Sequence, residues 1–154
     1  MCIRDRHLDD AKLALTRLYT ALRGHVVVVA KIDWQQPQAA RFKEAMDDDF
    51  NTPEAMAVLF DLANELNKTK SLGVASLLKG LAGVLGLLQR DVNEFLQGDV
   101  AEQEVDLDVE GLIIQRNDAK KAKNFAEADR IRKELADAGI ILEDSPQGTT
   151  WRRA

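Results

Sequence analysis

The chain has 154 residues and a formal charge of −5, which suits one domain or a helical bundle with a small appended domain. Its one cysteine, Cys2, excludes an intramolecular disulfide and is too few for a zinc site. No apolar run approaches the roughly 18 residues of a membrane helix, and no signal-peptide core follows the N-terminus. A cytoplasmic protein without a membrane partner is therefore expected.

The N-terminal part of the chain predicts one helix. Residues 1–7 show no recognisable pattern and are predicted to be non-native or disordered. From Leu8 to Gly24, apolar residues recur in steps of three and four, which is typical of an amphipathic helix. These residues are Leu8, Ala11, Leu15, Leu18 and Leu22. The valine-rich segment from His25 to Trp34 favours a strand locally, and Trp34 is interpreted as a packing residue.

Three further helices complete a predicted bundle at residues 8–98. The first spans Gln38 to Met46. The second begins at Asn51-Thr52-Pro53-Glu54, where a capping residue, a proline and an acid follow in the order typical of helix starts. Its expected inward residues make it central, and they are Met56, Val58, Leu59, Phe60, Leu62, Ala63 and Leu66. The third, Val74 to Leu88, has a glycine at every third position from Gly80 to Gly86, which predicts close approach of a neighbouring helix.

Two acidic stretches interrupt the packing pattern. Asp47-Asp48-Asp49 offers three carboxylates, but the spacing, glycine and closing glutamate of an EF-hand are missing. Favourable charge near the start of the next helix is the preferred interpretation, so no metal site is expected. Residues 91–98 predict a short helical turn. Residues 99–107 are acidic and are interpreted as a linker to a C-terminal module at 108–154.

The C-terminal module predicts two helices and a hairpin. The first helix, Asp108 to Ala122, has Val109, Leu112 and Ile113 inward. The second begins at Asn124, where Glu127 could complete a capping box, and ends at Gly139. Its apolar face comprises Phe125, Ala128, Ile131 and Leu135. Two β-prone segments flank the turn sequence Asp144–Gly148. The predicted fold is mainly α: an antiparallel helical bundle followed by a small α/β module with a C-terminal β-hairpin.

Charge is distributed unevenly along the chain. Residues 111–154 contain nine basic and seven acidic residues, whereas the remainder contains 12 basic and 19 acidic residues. Residues 111–154 are therefore locally basic on an acidic chain. Cations beside exposed rings suit phosphates and unstacked bases, although charge alone would favour an ordinary solvated helix face.

Two long segments resemble bacterial cysteinyl-tRNA synthetases, which are class I aminoacyl-tRNA synthetases. One is AKKAKNFAEADRIRKEL followed by GIILEDSPQGTTWRR, and the other is RFKEAMDDDFNTPEAMAVLFDLANELNK. The resemblance implies a DALR-type helical bundle and a terminal module that grips the anticodon loop of cysteine tRNA. It also implies a variable connection at His25–Trp34, for which we expect an extended linker.

Four positions match the family's motif for reading the anticodon. Lys120 lies where arginine is common, and Phe125 lies where tryptophan is common. Asp129 belongs to an AD-x-x-R element, and Asp144 belongs to the LED turn. The resemblance implies stacking on a splayed base, worth about 1–3 kcal/mol, with hydrogen bonds to base edges or phosphate. The other residues predicted to bind tRNA are Lys121, Lys123, Trp151 and Arg152.

Each of these residues also has a simpler interpretation. Phe125 could belong to the core of its helix, and Asp129 could pair with Lys133 one turn later. The side chain of Asp144 could stabilise the turn that follows it. Without the family resemblance, these structural roles would be preferred.

The resemblance also indicates which parts of the enzyme are absent. The HIGH and KMSKS motifs of a class I ATP site do not occur, nor do the Cys and His residues for a zinc-bound thiolate. The parent enzyme would ligate cysteine to its tRNA with ATP and zinc. This chain is expected to have no catalytic residues and no cofactor of its own, and to be inactive alone. Its expected partners are cysteine tRNA and the missing N-terminal catalytic domain, without DNA, and a monomer is expected.

Two alternatives remain open at this point. A helical protein-interaction module without tRNA affinity would expose apolar patches on Val74–Leu88. A freestanding tRNA-binding protein would require Met1 to be a genuine start.

Overall fold

The computed structural model describes residues 3–28, 31–98 and 108–154. Within them, helices precede an antiparallel hairpin, which confirms the predicted mainly α fold. The elements are α1 (Ile3–Leu22), α2 (Pro37–Asp47), α3 (Thr52–Thr69), α4 (Leu72–Val84), α5 (Val92–Gln97), α6 (Val109–Lys121), α7 (Phe125–Asp137), β1 (Ile140–Ser145) and β2 (Gly148–Arg153). The chain forms two compact units that divide between Phe95 and Leu96. The predicted linker, residues 99–107, lies outside the described residues.

Helix α3 is the centre of the first unit, as predicted. It packs against α1, α2 and α4. The Asn51 side chain caps it by accepting the Glu54 N–H at 3.3 Å, and Pro53 lies in its first turn. Its buried residues are Ala55, Val58, Leu59, Leu62, Ala63 and Leu66. Met56 and Phe60, which the sequence placed inward, are half-buried.

Helix α1 begins at Ile3, five residues before the predicted start, so residues 3–7 are helical. Whether these residues are native stays a prediction. From Arg6 onwards, the buried residues of the helix lie in its second half, where Leu18 and Leu22 enter the core and Tyr19 stacks on Phe95 with ring centroids 4.0 Å apart. Leu8 is 70% exposed. The apolar pattern of α1 therefore extends beyond the part that neighbouring helices of the unit cover.

Helix α4 ends at Val84, four residues before the predicted end. The prediction of a neighbouring helix along its glycines is wrong. A Cβ at Gly80 would lie 3.2 Å from Cγ1 of Ile32, which belongs to the connection between α1 and α2. Gly86 lies beyond the helix. Its φ of +72° is left-handed, a conformation that glycine adopts readily, and it forms part of the turn that follows α4. Val84, predicted inward, is exposed.

The connection between α1 and α2 has no regular secondary structure at residues 25–28 and 31–33, which agrees with an extended linker. It is fixed to the bundle where the Ser76 hydroxyl donates to the Val28 carbonyl at 3.0 Å. Trp34 is 41% exposed, so it is only partly covered, and the interpretation of Trp34 as a packing residue stays a prediction.

The second unit has its own small core. Ile113, Ile131, Leu135 and Ile140 are buried together, and Val109, Leu112, Leu142 and Trp151 pack against them. Gly139 has φ +76° directly after α7, as predicted, and leads into β1. The hairpin pairs Ile140 with Arg153 and Ser145 with Gly148, so Pro146 and Gln147 form its two-residue turn.

The acidic stretch after α2 forms no recognised ion site. Lys43 pairs with Asp47 at 2.8 Å. Among the described residues, no group of three or more His, Cys, Asp or Glu side chains is arranged to hold a metal. Across the same three ranges, no helix is long and apolar enough to cross a membrane.

Candidate nucleic-acid interface

The junction of α6 and α7 places three lysines beside the start of a helix. Lys120 and Lys121 form the last turn of α6, and Lys123 takes a left-handed conformation with φ +59°. This conformation reverses the chain, and the Asn124 N–H then bonds to the Ala119 carbonyl at 2.8 Å. The unpaired N–H groups at the start of α7 add positive potential next to the lysines. The junction is therefore electrostatically suited to an anion.

Asn124 caps α7, but the predicted capping box is only half formed. The Asn124 side chain accepts the Glu127 N–H at 3.3 Å, as expected. The carboxylate of Glu127 instead accepts from Arg130 at 2.7 Å and 3.0 Å, and this pairing lowers the pKa of Glu127. The reason is that the Asn124 N–H already has the Ala119 carbonyl as its partner.

Asp144, near the end of β1, is the most highly bonded side chain of the module. Arg116 donates to both of its carboxylate oxygens at 2.9 Å and 2.8 Å. The Lys120 ammonium donates at 3.1 Å and the Thr149 hydroxyl at 2.8 Å. These bonds, those from Arg116 first, hold the pKa of Asp144 well below its usual range. Its side chain thus joins α6 to the hairpin and also bonds across the turn, to Thr149.

Arg116 is a site residue that sequence reasoning missed. It is 3% exposed, and its Nε has no hydrogen-bond partner among the described residues. Its pKa is raised, mainly by the hydrogen bonds to Asp144 and also by the negative charge of Asp129. One signal was present in the sequence: Arg116 continues the inward spacing of Val109 and Ile113 on α6, where a charge needs a buried partner.

Phe125 and Asp129 lie one turn apart on α7. Phe125 is 63% exposed, so the interpretation of Phe125 as a core residue is wrong. Asp129 is also exposed, and within the described parts of the chain it forms no ion pair with Lys133. It lies close enough to Arg116 to raise that residue's pKa. We call Lys120, Phe125, Asp129 and Asp144 the α6–α7 face. Arg116 bonds to Asp144 and lies within electrostatic reach of Asp129.

The remaining predicted residues differ in how freely they could meet a ligand. Lys121 is 81% exposed and makes a long pair of 3.6 Å with Asp118. Lys123 is exposed at the junction. Trp151 is half-buried against the core, and its indole N–H donates to Glu110 at 3.0 Å. Arg152 donates to Glu143 at 2.9 Å across the hairpin. Trp151 and Arg152 therefore already have partners within the module.

An exposed ring beside lysines and carboxylates is chemistry that suits an RNA-binding domain, and two family models match the chain. Residues 41–89 match the family model of the DALR domain. Residues 102–152 match that of the cysteinyl-tRNA ligase anticodon binding domain. The chain therefore belongs to the cysteinyl-tRNA ligase family, of which it contains these two domains.

Curated relatives support the same assignment. The chain is 62% identical over 148 residues to a cysteine–tRNA ligase of Methylobacillus flagellatus, an alignment covering 96% of this chain and 32% of that protein. It is 56% identical over 153 residues to one of Aromatoleum aromaticum, covering 97% of this chain and 33% of that protein. The chain thus spans about a third of the length of the relatives it matches.

Proposed function

We propose that the α6–α7 face binds the anticodon loop of cysteine tRNA. The observation that supports this most directly is the exposure of Phe125, 63%, at the lysine-rich start of α7 in an anticodon-binding domain. A ring exposed to this extent offers a stacking surface to an unpaired base.

The side chains of the face supply complementary chemistry. Asp129 and Asp144 can accept from amino or imino groups of bases, because carboxylates at neutral pH are acceptors only. Lys120, Lys121 and Lys123 supply charge for the phosphate backbone. Trp151 and Arg152, which bind Glu110 and Glu143, contribute by fixing the hairpin that presents Asp144.

The proposal extends to the whole ligase. A protein three times this length would join cysteine to its tRNA, using ATP and zinc in its catalytic part. That catalytic part would be the second partner of the region described by this chain. ATP and zinc belong, in this proposal, to that other part. We place the activity in the cytoplasm, where translation uses the product. One copy of the chain suffices to bind the anticodon loop as a monomer, because the α6–α7 face lies within a single module.

The protein-interaction alternative has little support. It requires exposed apolar side chains over residues 74–88, yet Leu77, Leu78, Leu81 and Leu88 are buried and Val84 is the large apolar side chain that is exposed there.

Amide chemical shifts test where RNA binds. The purified chain would be titrated with a cysteine tRNA anticodon stem-loop while backbone amides are followed by NMR. The proposal predicts the largest shifts at the end of α6, the start of α7 and the end of β1. Shifts confined to α2 and α3 would place the RNA on the other unit and contradict the proposal.

A further inference from the structure

The carboxylate of Asp144 has no acceptor capacity to spare. Its Oδ1 accepts from Arg116 at 2.9 Å and Thr149 at 2.8 Å, and its Oδ2 accepts from Arg116 at 2.8 Å and Lys120 at 3.1 Å. A carboxylate offers about four lone-pair sites, so these four bonds fill it. The side chain is nevertheless 49% exposed. A base can hydrogen-bond to Asp144 only if one of the present donors leaves.

The donors differ in their freedom to leave. Arg116 is 3% exposed and holds both oxygens in a fork, so its departure would leave a buried charge without a partner. Thr149 is half-buried on β2, and its one hydroxyl proton lies 2.8 Å from Oδ1 of Asp144 but 3.5 Å from Oδ1 of Asn117, so the nearer, charged acceptor holds it. Lys120 is 40% exposed, makes the longest of the four bonds, and has a flexible stem. Lys120 is therefore the donor that can be exchanged.

We propose that Arg116 is a positioning residue that holds Asp144 throughout RNA binding, while Lys120 is exchanged for a base. An N–H of the base replaces the Lys120 ammonium on Oδ2 of Asp144. The released ammonium then turns to an RNA phosphate. This inference rests on the proposed function and adds the order of contacts within the same face.

Charge balance supports the exchange. The carboxylate keeps the Arg116 guanidinium as its counter-charge after Lys120 leaves, so no bare anion faces the RNA backbone. The fork from Arg116 lowers the pKa of Asp144 more than the bond from Lys120 does, so the carboxylate stays an acceptor with or without Lys120. Without Arg116, Lys120 would remain as the principal cation on Asp144 and would be held there.

The first test needs no variant. In the wild-type chain, NMR can detect the scalar coupling between the Lys120 ammonium and the Asp144 carboxyl carbon. The exchange predicts that this coupling is present in the free chain and disappears when the cysteine anticodon stem-loop saturates it. Persistence of the coupling in the saturated complex would overturn the exchange.

The second test compares salt dependence among variants. Lys120→Ala should reduce the slope of log affinity against log salt by roughly 0.7–0.9, the value for one phosphate contact. Arg116→Gln should reduce it equally although Lys120 is still present, and the double variant should show no further reduction. Arg41→Gln is the matched control, since it removes an arginine that binds two carboxylates, Glu54 and Asp61, in the other unit. It should keep the wild-type slope.

The outcomes separate the inference from the proposed function. A wild-type slope in a folded Arg116→Gln chain, with a further loss on adding Lys120→Ala, would overturn the role of Arg116. If circular dichroism shows that Arg116→Gln is unfolded, the wild-type NMR experiment decides. Absence of binding by the wild-type chain would overturn the proposed function and the exchange together, whereas binding with a persistent coupling would overturn the exchange alone.

Discussion

Phe125 has the spacing of a core residue and the exposure of a ligand-binding residue. It precedes Ala128, Ile131 and Leu135 on one helical face, and those three are buried. As the first residue of α7, Phe125 itself is 63% exposed. Periodicity predicts the direction of a side chain along a helix, but it does not show where the neighbouring helix stops. The same residue can therefore follow the core pattern and still be available to RNA.

Replacing Phe125 with alanine tests its stacking role. Phe125→Ala should weaken binding of the cysteine anticodon stem-loop by about 1–3 kcal/mol, because base–ring stacking is lost. Thermal unfolding should be nearly unchanged, because the ring buries little surface. Affinity by fluorescence anisotropy and stability by circular dichroism measure the two effects.

Phe50→Ala is the matched control for this variant. Phe50 is 73% exposed but lies between α2 and α3 in the other unit, so its removal should leave stem-loop affinity unchanged. Equal weakening by both variants, or unfolding of Phe125→Ala, would contradict a specific stacking role.

Asp144 predicts a pH dependence of stability. Its pKa in the folded chain lies well below the usual range, chiefly because of Arg116. Its contribution to stability is therefore present above the unfolded pKa of about 4 and is lost as the pH falls towards the folded pKa. The difference in unfolding free energy between wild type and Asp144→Asn should be largest near neutral pH and shrink below about pH 4.

Urea unfolding at a series of pH values measures this difference. Asp129→Asn is the comparison, because that carboxylate has no such fork, and it should change stability less at neutral pH. The difference in unfolding free energy between wild type and Asp144→Asn could instead stay constant from pH 7 to pH 3. That result would show that the charge of Asp144 does not contribute to stability.

At the scale of elements, the end of α7 depends on a backbone conformation. Gly139 has φ +76°, which an L side chain rarely adopts, although a Cβ there would meet no atom within 4 Å. Gly139→Ala should therefore destabilise the chain by about 1–2 kcal/mol through backbone strain alone. Circular dichroism should therefore show a lower unfolding temperature for Gly139→Ala than for the wild-type chain.

Gly83→Ala is the informative counterpart. Gly83 lies in the last turn of α4, and a Cβ there would be 3.5 Å from the Gln89 side chain, an ordinary contact. Alanine should be neutral or stabilising by up to about 1 kcal/mol at this position. A stabilising Gly139→Ala would refute the strain argument.

Local signals made the helix starts predictable, whereas long-range contacts did not follow from sequence. The caps at Asn51 and Asn124 each involve an N–H only three residues away, and both are confirmed. The bond between Arg116 and Asp144 joins residues 28 apart, and no local pattern specifies it. Likewise, the spacing of Gly80 predicted a close neighbour but could not show that it would be Ile32 of the connection.

For the candidate site, family resemblance indicates the residue types but not the partners of each side chain. Lys120 and Asp144 were predicted as independent RNA contacts, and the structure joins them by a 3.1 Å hydrogen bond. Trp151 was predicted from its aromatic character, yet it is half-buried with its N–H on Glu110. Such partners depend on the packing of α6 against α7 and of α7 against the hairpin.

At the scale of the whole molecule, the chain should bind RNA without performing ligation. It contains the DALR and anticodon-binding domains and spans about a third of its relatives' length. With no HIGH or KMSKS motif, it should show no cysteine-dependent exchange of pyrophosphate into ATP. The Methylobacillus flagellatus ligase is the positive control. Pyrophosphate exchange by this chain above the level without enzyme would contradict the assignment of catalysis to another part of the ligase.

The central claim is that the α6–α7 face distinguishes the cysteine anticodon, and one measurement tests it most directly. The affinity of the purified chain for a cysteine tRNA anticodon stem-loop would be compared with that for a stem-loop of altered anticodon, at two salt concentrations. The account predicts tighter binding of the native loop at both concentrations. Equal, salt-sensitive binding of both loops would reduce the face to a nonspecific basic patch and contradict the account.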